Sequence, residues 1–178
     1  MIEKRTKEYL LSLEGYVTVM GCPGTGKTSL LNTLGVAYRP EPTEDIETLG
    51  IQLSNTEWQQ VVQNRFDILD SSPGEFWRDS DFFTSLGLYK SPEAMLEAIP
   101  SYRNKLIVSQ YLVWLNCPLE QTIQNIIKRN RRSAMMEIEN AAIRDARAAQ
   151  VFKLHPAKNK VILTLNNQSH YKIQLVTH

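Results

Sequence analysis

Only two cysteines, Cys22 and Cys117, occur in 178 residues. That is too few for a disulfide framework, and each stands beside a predicted strand end in apolar surroundings. Reduced thiols in a cytoplasmic protein are therefore expected. Neither sign of charge dominates: 20 Lys and Arg against 19 Asp and Glu leave a net charge of +1. No overall field attracts nucleic acid or an acidic membrane, so any anion site must be a local cluster. No apolar run reaches the roughly 18 residues of a membrane span, and the N-terminal segment lacks the apolar stretch of a signal peptide. His155, His170 and His178 are scattered without metal-ligand spacing. There is no repeat and no low-complexity linker. A chain of this length, 42% hydrophobic, suits one compact α/β domain over residues 1–178.

What is present alternates between strand and helix patterns. Residues 3–13 read as a short amphipathic helix. Tyr16 to Met20 is an apolar, β-branched run of the kind found in a central parallel strand. Lys27 to Leu34 reads as a helix closed by Gly35, and Val36 to Tyr38 as a brief strand. Thr43 caps a predicted helix whose buried side includes Leu49, Leu53, Trp58, Val61 and Val62. Phe66 to Leu69 is predicted as a third strand ending at Asp70, with a turn at Ser71 to Gly74. Short helices are expected over 75–108, one of them from Ser91 or Pro92 to Ile99. Gln110 to Leu115 is the fourth strand. Helices follow over Pro118 to Lys128 and Ser133 to Phe152, then a last strand over Val161 to Leu165. The tail from Tyr171 to Val176 is a candidate edge strand. Alternation of this kind predicts a three-layer fold: a parallel sheet of about five strands with helices on both faces. Its binding crevice lies at the carboxyl ends of the strands.

Gly21, Cys22, Pro23, Gly24, Thr25, Gly26, Lys27 and Thr28 complete the G-x-x-x-x-G-K-[ST] pattern of a P-loop, or Walker A motif. The residue types follow from the chemistry. Glycines let the backbone wrap with its N–H groups turned towards phosphate oxygens. The following helix adds the positive end of its dipole. Lys27 supplies a charge to the β and γ phosphates, and the Thr28 hydroxyl is a hard oxygen ligand suited to Mg²⁺. An apolar strand before the loop and a helix after it supply the required context. The cofactors expected are ATP, with GTP as an alternative donor, and Mg²⁺.

Three further segments resemble the nucleoside and nucleotide kinases. Tyr38-Arg-Pro-Glu41-Pro42 resembles the Pro-Glu-Pro segment of the deoxynucleoside kinases. The resemblance implies that Glu41 is the general base towards an acceptor hydroxyl. Independently, a carboxylate fixed between prolines at a strand end is rigid and faces the crevice. Asp70, at the end of the predicted third strand, resembles the acid of the Asp/Glu-Arg-Ser segment. It would organise Mg²⁺ together with Thr28, although Ser71 replaces the family's arginine and Arg78 is a candidate substitute. Tyr111 to Glu120, followed by Lys128 to Arg132, resembles the strand, Pro-x-Glu, helix and lid passage of the same kinases. Arg129 and Arg131 would then be lid residues gripping phosphate oxygens, with Arg132 in reserve. On this resemblance the chain is a phosphotransferase acting on a small acceptor, a nucleoside or nucleotide. With the balanced charge and the lack of a membrane-length run, no membrane partner is expected, and nucleic acid only as an end-phosphorylation substrate.

Two other readings compete. Thr48 to Ile51 and Phe66 to Glu75 resemble the switch segments of Ras-like small GTPases. Gly74 lies one residue too far from Asp70 for that family, and Asn166 to Ser169 stands where a guanine-reading Asn-Lys-x-Asp motif belongs. A nucleotide-responsive binding module is the non-enzymatic alternative. Phe76 and Trp77 are candidates to line an acceptor pocket, against the plainer reading of all three tryptophans as packing residues.

Overall fold

The structure, a computed structural model, describes residues 2–42, 54–165 and 171–175, the last five as backbone only. The helix start at Thr43, the segment Thr48 to Ile51 and the stretch Asn166 to Ser169 lie outside the described residues. In chain order the elements are α1 (Lys4–Leu11), β1 (Val17–Met20), α2 (Lys27–Leu34), β2 (Tyr38–Arg39) and α3 (Asn55–Asp70). Then come β3 (Trp77–Asp79), α4 (Phe82–Ser85) running into a π-helical segment (Leu86–Lys90), and α5 (Pro92–Tyr102). The last are β4 (Tyr111–Asn116), α6 (Leu119–Arg129), α7 (Ala134–Leu154), β5 (Asn159–Leu165) and β6 (Tyr171–Leu175).

The six strands form one sheet in the order β2-β3-β1-β4-β5-β6. The first five run parallel, and β6 pairs antiparallel with β5. β1 is buried along its whole length, as a central strand covered on both faces must be. Its side chains alternate. Val17 and Val19 join α1 and α2 in one core layer, with Leu31, Val113 and Leu163. Met20 faces the other layer, with Leu112 of the neighbouring strand and Phe66, Phe83, Met95 and Val151 from the opposite helices. The expected three-layer architecture is therefore present, with one antiparallel strand added at the edge.

The predicted third strand is not where the sequence pattern put it. Phe66 to Leu69 belongs to α3, which begins at a capping box: Ser54 Oγ accepts from the Glu57 N–H, and Glu57 Oε2 accepts from the Ser54 N–H at 2.8 Å. Val62, Phe66 and Asp70, four residues apart, are buried, whereas Ile68 and Leu69 are 70% and 37% exposed. A strand would have buried Ile68 alongside Phe66. The real third strand is the three-residue β3, whose only apolar residue is Trp77.

A polar cluster holds the end of β3 against the second layer. Asp81 caps α4, its Oδ1 accepting from the Thr84 N–H at 2.9 Å. Its Oδ2 accepts from Thr18 Oγ1 at 3.1 Å and from His155 Nε2 at 3.0 Å. The Ala157 N–H donates to His155 Nδ1, so the ring proton is assigned to Nε2. Burial opposes ionisation of Asp81, but His155 and the Thr84 donors outweigh it and hold the carboxyl well below the usual carboxylate range. A depressed pKa contributes stability that is fully present above about pH 4 and is lost as pH falls below it. Asp81→Ala strands these buried donors and is expected to cost about 3 kcal/mol. It is also expected to remove part of the acid sensitivity. Urea unfolding at pH 7 and at pH 3 measures both; an unchanged midpoint at pH 7 would show that the cluster does not hold this layer.

Candidate active site

The phosphate loop leaves the buried end of β1 and enters α2 at Lys27. Two of its glycines are required by geometry. Gly24 has φ +89°, and a Cβ there would lie 2.6 Å from the Thr122 carbonyl oxygen of α6. Gly26, with φ 94°, is the left-handed residue from which α2 starts. The loop is braced from outside: Asn125 Nδ2 donates to the Gly24 carbonyl at 2.9 Å, and Thr25 Oγ1 to the Cys22 carbonyl at 2.9 Å. Cys22 is buried, and burial pushes its thiol up to about 12. It is a small wall of the loop, not a nucleophile.

Lys27 is only 7% exposed. Its Nζ donates to the Gly21 carbonyl at 3.1 Å and lies 3.7 Å from Asp79 Oδ1. Burial opposes its charge, but the Asp79 and Glu41 carboxylates more than offset this, and the net shift is upward. Thr28 Oγ1 donates to Asp79 Oδ2 at 3.0 Å. Asp79 Oδ1 is buried and accepts no hydrogen bond. A hard hydroxyl oxygen beside a carboxylate with an unused buried oxygen fits Mg²⁺. Among the described residues no three His, Cys, Asp or Glu side chains cluster as a metal site. Mg²⁺ in phosphate sites takes one or two protein ligands, the rest coming from phosphate and water, so the pair Thr28 and Asp79 suffices. The residue after Asp79, Ser80, has φ +73°, a costly conformation for a residue other than glycine. Its carbonyl accepts from Arg39 Nη2 at 3.3 Å.

Asp70, the expected metal partner of Thr28, is tied to two arginines instead. It ends α3, and its Oδ1 meets Arg39 Nη1 at 2.6 Å and Arg78 Nη1 at 3.3 Å. Its Oδ2 accepts from the Phe82 N–H at 2.6 Å. Every lone pair that faces a donor is engaged, and the Thr28 hydroxyl is bonded to Asp79 instead. The switch-like reading of Asp70 to Glu75 loses its metal contact for the same reason. Arg78 does not substitute for a crevice arginine: it donates to the Ile107 carbonyl at 2.8 Å and stacks on the Tyr16 ring. Phe76 stacks on Tyr16 before β3 begins, and Trp77 lies in the core. Neither lines the crevice at the carboxyl ends of the strands.

Glu41, just beyond β2, stands on the crevice side. Tyr89 Oη, from the π-helical segment, donates to Glu41 Oε1 at 2.9 Å. Such segments concentrate at functional sites. Burial raises the Glu41 pKa; Lys27 lowers it, Asp79 raises it, and Tyr89 and Arg144 lower it, leaving a net rise. Arg129 ends α6, and its charge acts against that of Lys27, so it stands within electrostatic reach of the loop. Arg131 follows Asn130, which turns the chain in the left-handed conformation between α6 and α7. The structure thus gathers Lys27, Thr28, Glu41 and the charge of Arg129, and adds three residues the sequence pattern missed: Asp79, Tyr89 and Arg144. Asp79 carried a signal, an acid followed by a serine, but the three-residue strand before it hid the context.

A phosphate loop at the end of a central strand, in a sheet with this strand order, defines the fold of the P-loop nucleoside kinases. The solved structures similar to this one include deoxyadenosine kinase from M. mycoides with the products dCMP and a flexible dCDP bound. It matches at 15% identity and TM-score 0.59, over 86% of this chain and 90% of that one. The same enzyme with bound dCTP matches at 14% and 0.57, over 86% and 92%, and with bound dATP at 15% and 0.55, over 86% and 91%. No family model and no curated protein matches the sequence. Among the described residues no helix is long and apolar enough to cross a membrane.

The two acids separate by experiment. Asp79→Asn leaves the buried Lys27 without its carboxylate, at a cost of about 3 kcal/mol, and is expected to lower Mg²⁺-dependent phosphate transfer of the folded fraction by roughly 100-fold or more. Asp70→Asn leaves two buried guanidiniums without their carboxylate, at a cost of roughly 3 kcal/mol, with nucleotide affinity of the folded fraction unchanged. Mg²⁺-dependent nucleotide titration of the folded fraction, set by paired denaturation, decides; a Mg²⁺-dependent loss in Asp70→Asn with none in Asp79→Asn would favour Asp70 as the metal-holding acid.

Proposed function

We propose that the protein is an ATP-dependent phosphotransferase of the nucleoside and nucleotide kinase type. It moves the γ-phosphate to a hydroxyl or phosphate of a small acceptor, a nucleoside or nucleotide. The observation that carries this reading is Glu41: a carboxylate with a raised pKa, fixed by Tyr89, facing Lys27 and Asp79 across the crevice. A fold that only bound nucleotide has no need of a desolvated, oriented base at that point. The ligands named for the deoxyadenosine kinase structures, dCMP, dCDP, dCTP and dATP, support a nucleotide-sized acceptor in a crevice of this shape.

In this mechanism the loop N–H groups and Lys27 hold the donor phosphates, and the α2 dipole adds to them. Thr28 and Asp79 would hold Mg²⁺, directly or through water, and the ion would supply positive charge to the donor phosphates. Glu41 orients the acceptor hydroxyl and accepts its proton as the new O–P bond forms and the bond to the β-phosphate oxygen breaks. Tyr89 keeps the carboxylate aimed. Arg129 and Arg131 close from the α6–α7 turn and stabilise the charge on the transferring group.

Thermal shift and transfer assays on one sample test the reading, with ATP and GTP as donors and (deoxy)nucleosides, their monophosphates and a 5′-hydroxyl oligonucleotide as acceptors. Stabilisation by ATP–Mg²⁺ and labelled phosphate on one small acceptor is the expected result. Selective stabilisation by GTP and GDP with no acceptor labelled would overturn it. Lys27→Ala is expected to lower transfer by roughly 100- to 1,000-fold.

The pH profile isolates Glu41. Because the base must be ionised and its pKa is raised, transfer should climb with pH through an apparent pKa above the ordinary glutamate value of about 4.3. Glu41→Gln is expected to flatten that limb and to lower the rate by roughly 100- to 10,000-fold. Tyr89→Phe removes a hydrogen bond that favours the ionised form, so the limb should move to higher pH. An unmoved limb in both variants would show that Glu41 is not the base.

A further inference from the structure

Arg144 lies in the middle of α7, on the stripe that buries Ala141, Ala148 and Val151. It is 3% exposed. Its guanidinium stacks on the Tyr89 ring, 4.3 Å from the centroid, and makes no hydrogen bond or ion pair with the described residues. Other buried cations here have acceptors: Lys27 has Gly21 and Asp79, and Arg78 has Asp70 and Ile107. The fully enclosed polar atoms that lack a partner include no nitrogen of Arg144, so its N–H groups, with no acceptor bonded, keep a small access to solvent. Its charge reaches both Glu41 and Cys22 of the phosphate loop.

A buried guanidinium loses its hydration, and an aromatic face returns only part of it. The planar fork of an arginine is shaped for two oxygens of a phosphate. We infer that Arg144 is a phosphate-binding residue of the crevice. It receives a terminal phosphate oxygen in the space between the loop and Glu41, with Tyr89 holding the fork in place. Two phosphates can present that oxygen: the donor's γ-phosphate or the acceptor's own. The inference rests on the loop being the nucleotide site proposed above, but it does not require transfer.

Calorimetric titration of the full chain with Mg²⁺ tests it, using wild type, Arg144→Met and Arg144→Lys, with urea unfolding of each. The ligands are a non-hydrolysable ATP analogue, ADP, and nucleosides with their monophosphates. If Arg144 binds the donor phosphate, Arg144→Met weakens the ATP analogue by roughly 10- to 100-fold and leaves ADP unchanged. If it binds the acceptor, the same loss falls on the monophosphates and spares the nucleosides. Arg144→Lys recovers part of either loss. Equal affinity of Arg144→Met for every ligand overturns the inference, as does a uniform loss that includes ADP, or a wild type that binds no nucleotide. Should Arg144→Met fail to fold, Arg144→Gln carries the same comparison. Phosphate-selective loss in a protein whose wild type labels no acceptor leaves the Arg144 assignment standing and removes the kinase reading alone.

Discussion

A lysine cannot sit 7% exposed at the end of a central strand unless a negative charge meets it there. Lys27 meets Asp79, and the requirement propagates through the structure. Asp79 must arrive at the carboxyl end of β3 beside β1, which the parallel pairing of Val17 to Val19 with Trp77 to Asp79 secures. The same carboxylate accepts from Thr28, one residue on in α2, so a single acid fixes both functional side chains of the loop. Everything else in the crevice is arranged around that pair.

Beyond it, the site uses charge economically. Glu41 and Arg144 form no direct salt bridge, and Tyr89 serves both, donating its hydroxyl to the acid and its ring face to the cation. Burial dominates at the Glu41 carboxyl, and with no direct counter-ion bonded its pKa stays raised. Isolating the guanidinium leaves its fork unsatisfied, as an anion site requires. Had the two formed a direct salt bridge, each would have cancelled the other.

Asp70 shows the contrasting use of similar groups. Arg39 and Arg78 close on it, and the Phe82 N–H completes its shell, so the cluster joins β2, β3, α3 and α4 at a point with no oxygen left to offer. Burial and the neighbouring Asp81 raise the Asp70 pKa, against Arg39 and the Phe82 N–H. An acid with every acceptor engaged is structural; an acid with a buried oxygen unused, as in Asp79, is available for chemistry.

The sequence by itself determined whatever depends on neighbours along the chain. The phosphate loop was legible because its glycines, lysine and threonine must follow one another for the backbone to wrap an anion. Glu41 was legible because two prolines fix it locally, and the strands β1, β4 and β5 because burial on both faces leaves an unbroken apolar run. The charge of Arg129, at the end of its helix, reaches the loop, as the resemblance to the kinase lid passage implied. Tertiary structure decided the rest. Val62, Phe66 and Asp70 satisfy helical spacing while Phe66 to Leu69 also reads as a strand, and only the Ser54–Glu57 cap and the packing of Phe66 choose between them. β3 is three residues long and two of them are charged; it is a strand because β1 and β2 pair with it, not because of its own composition. Asp79, Tyr89 and Arg144 come from three separate elements and meet at Glu41 and Lys27 only when the sheet and its second helical layer close. No periodicity along the chain records that meeting, because it is a property of the packed layers.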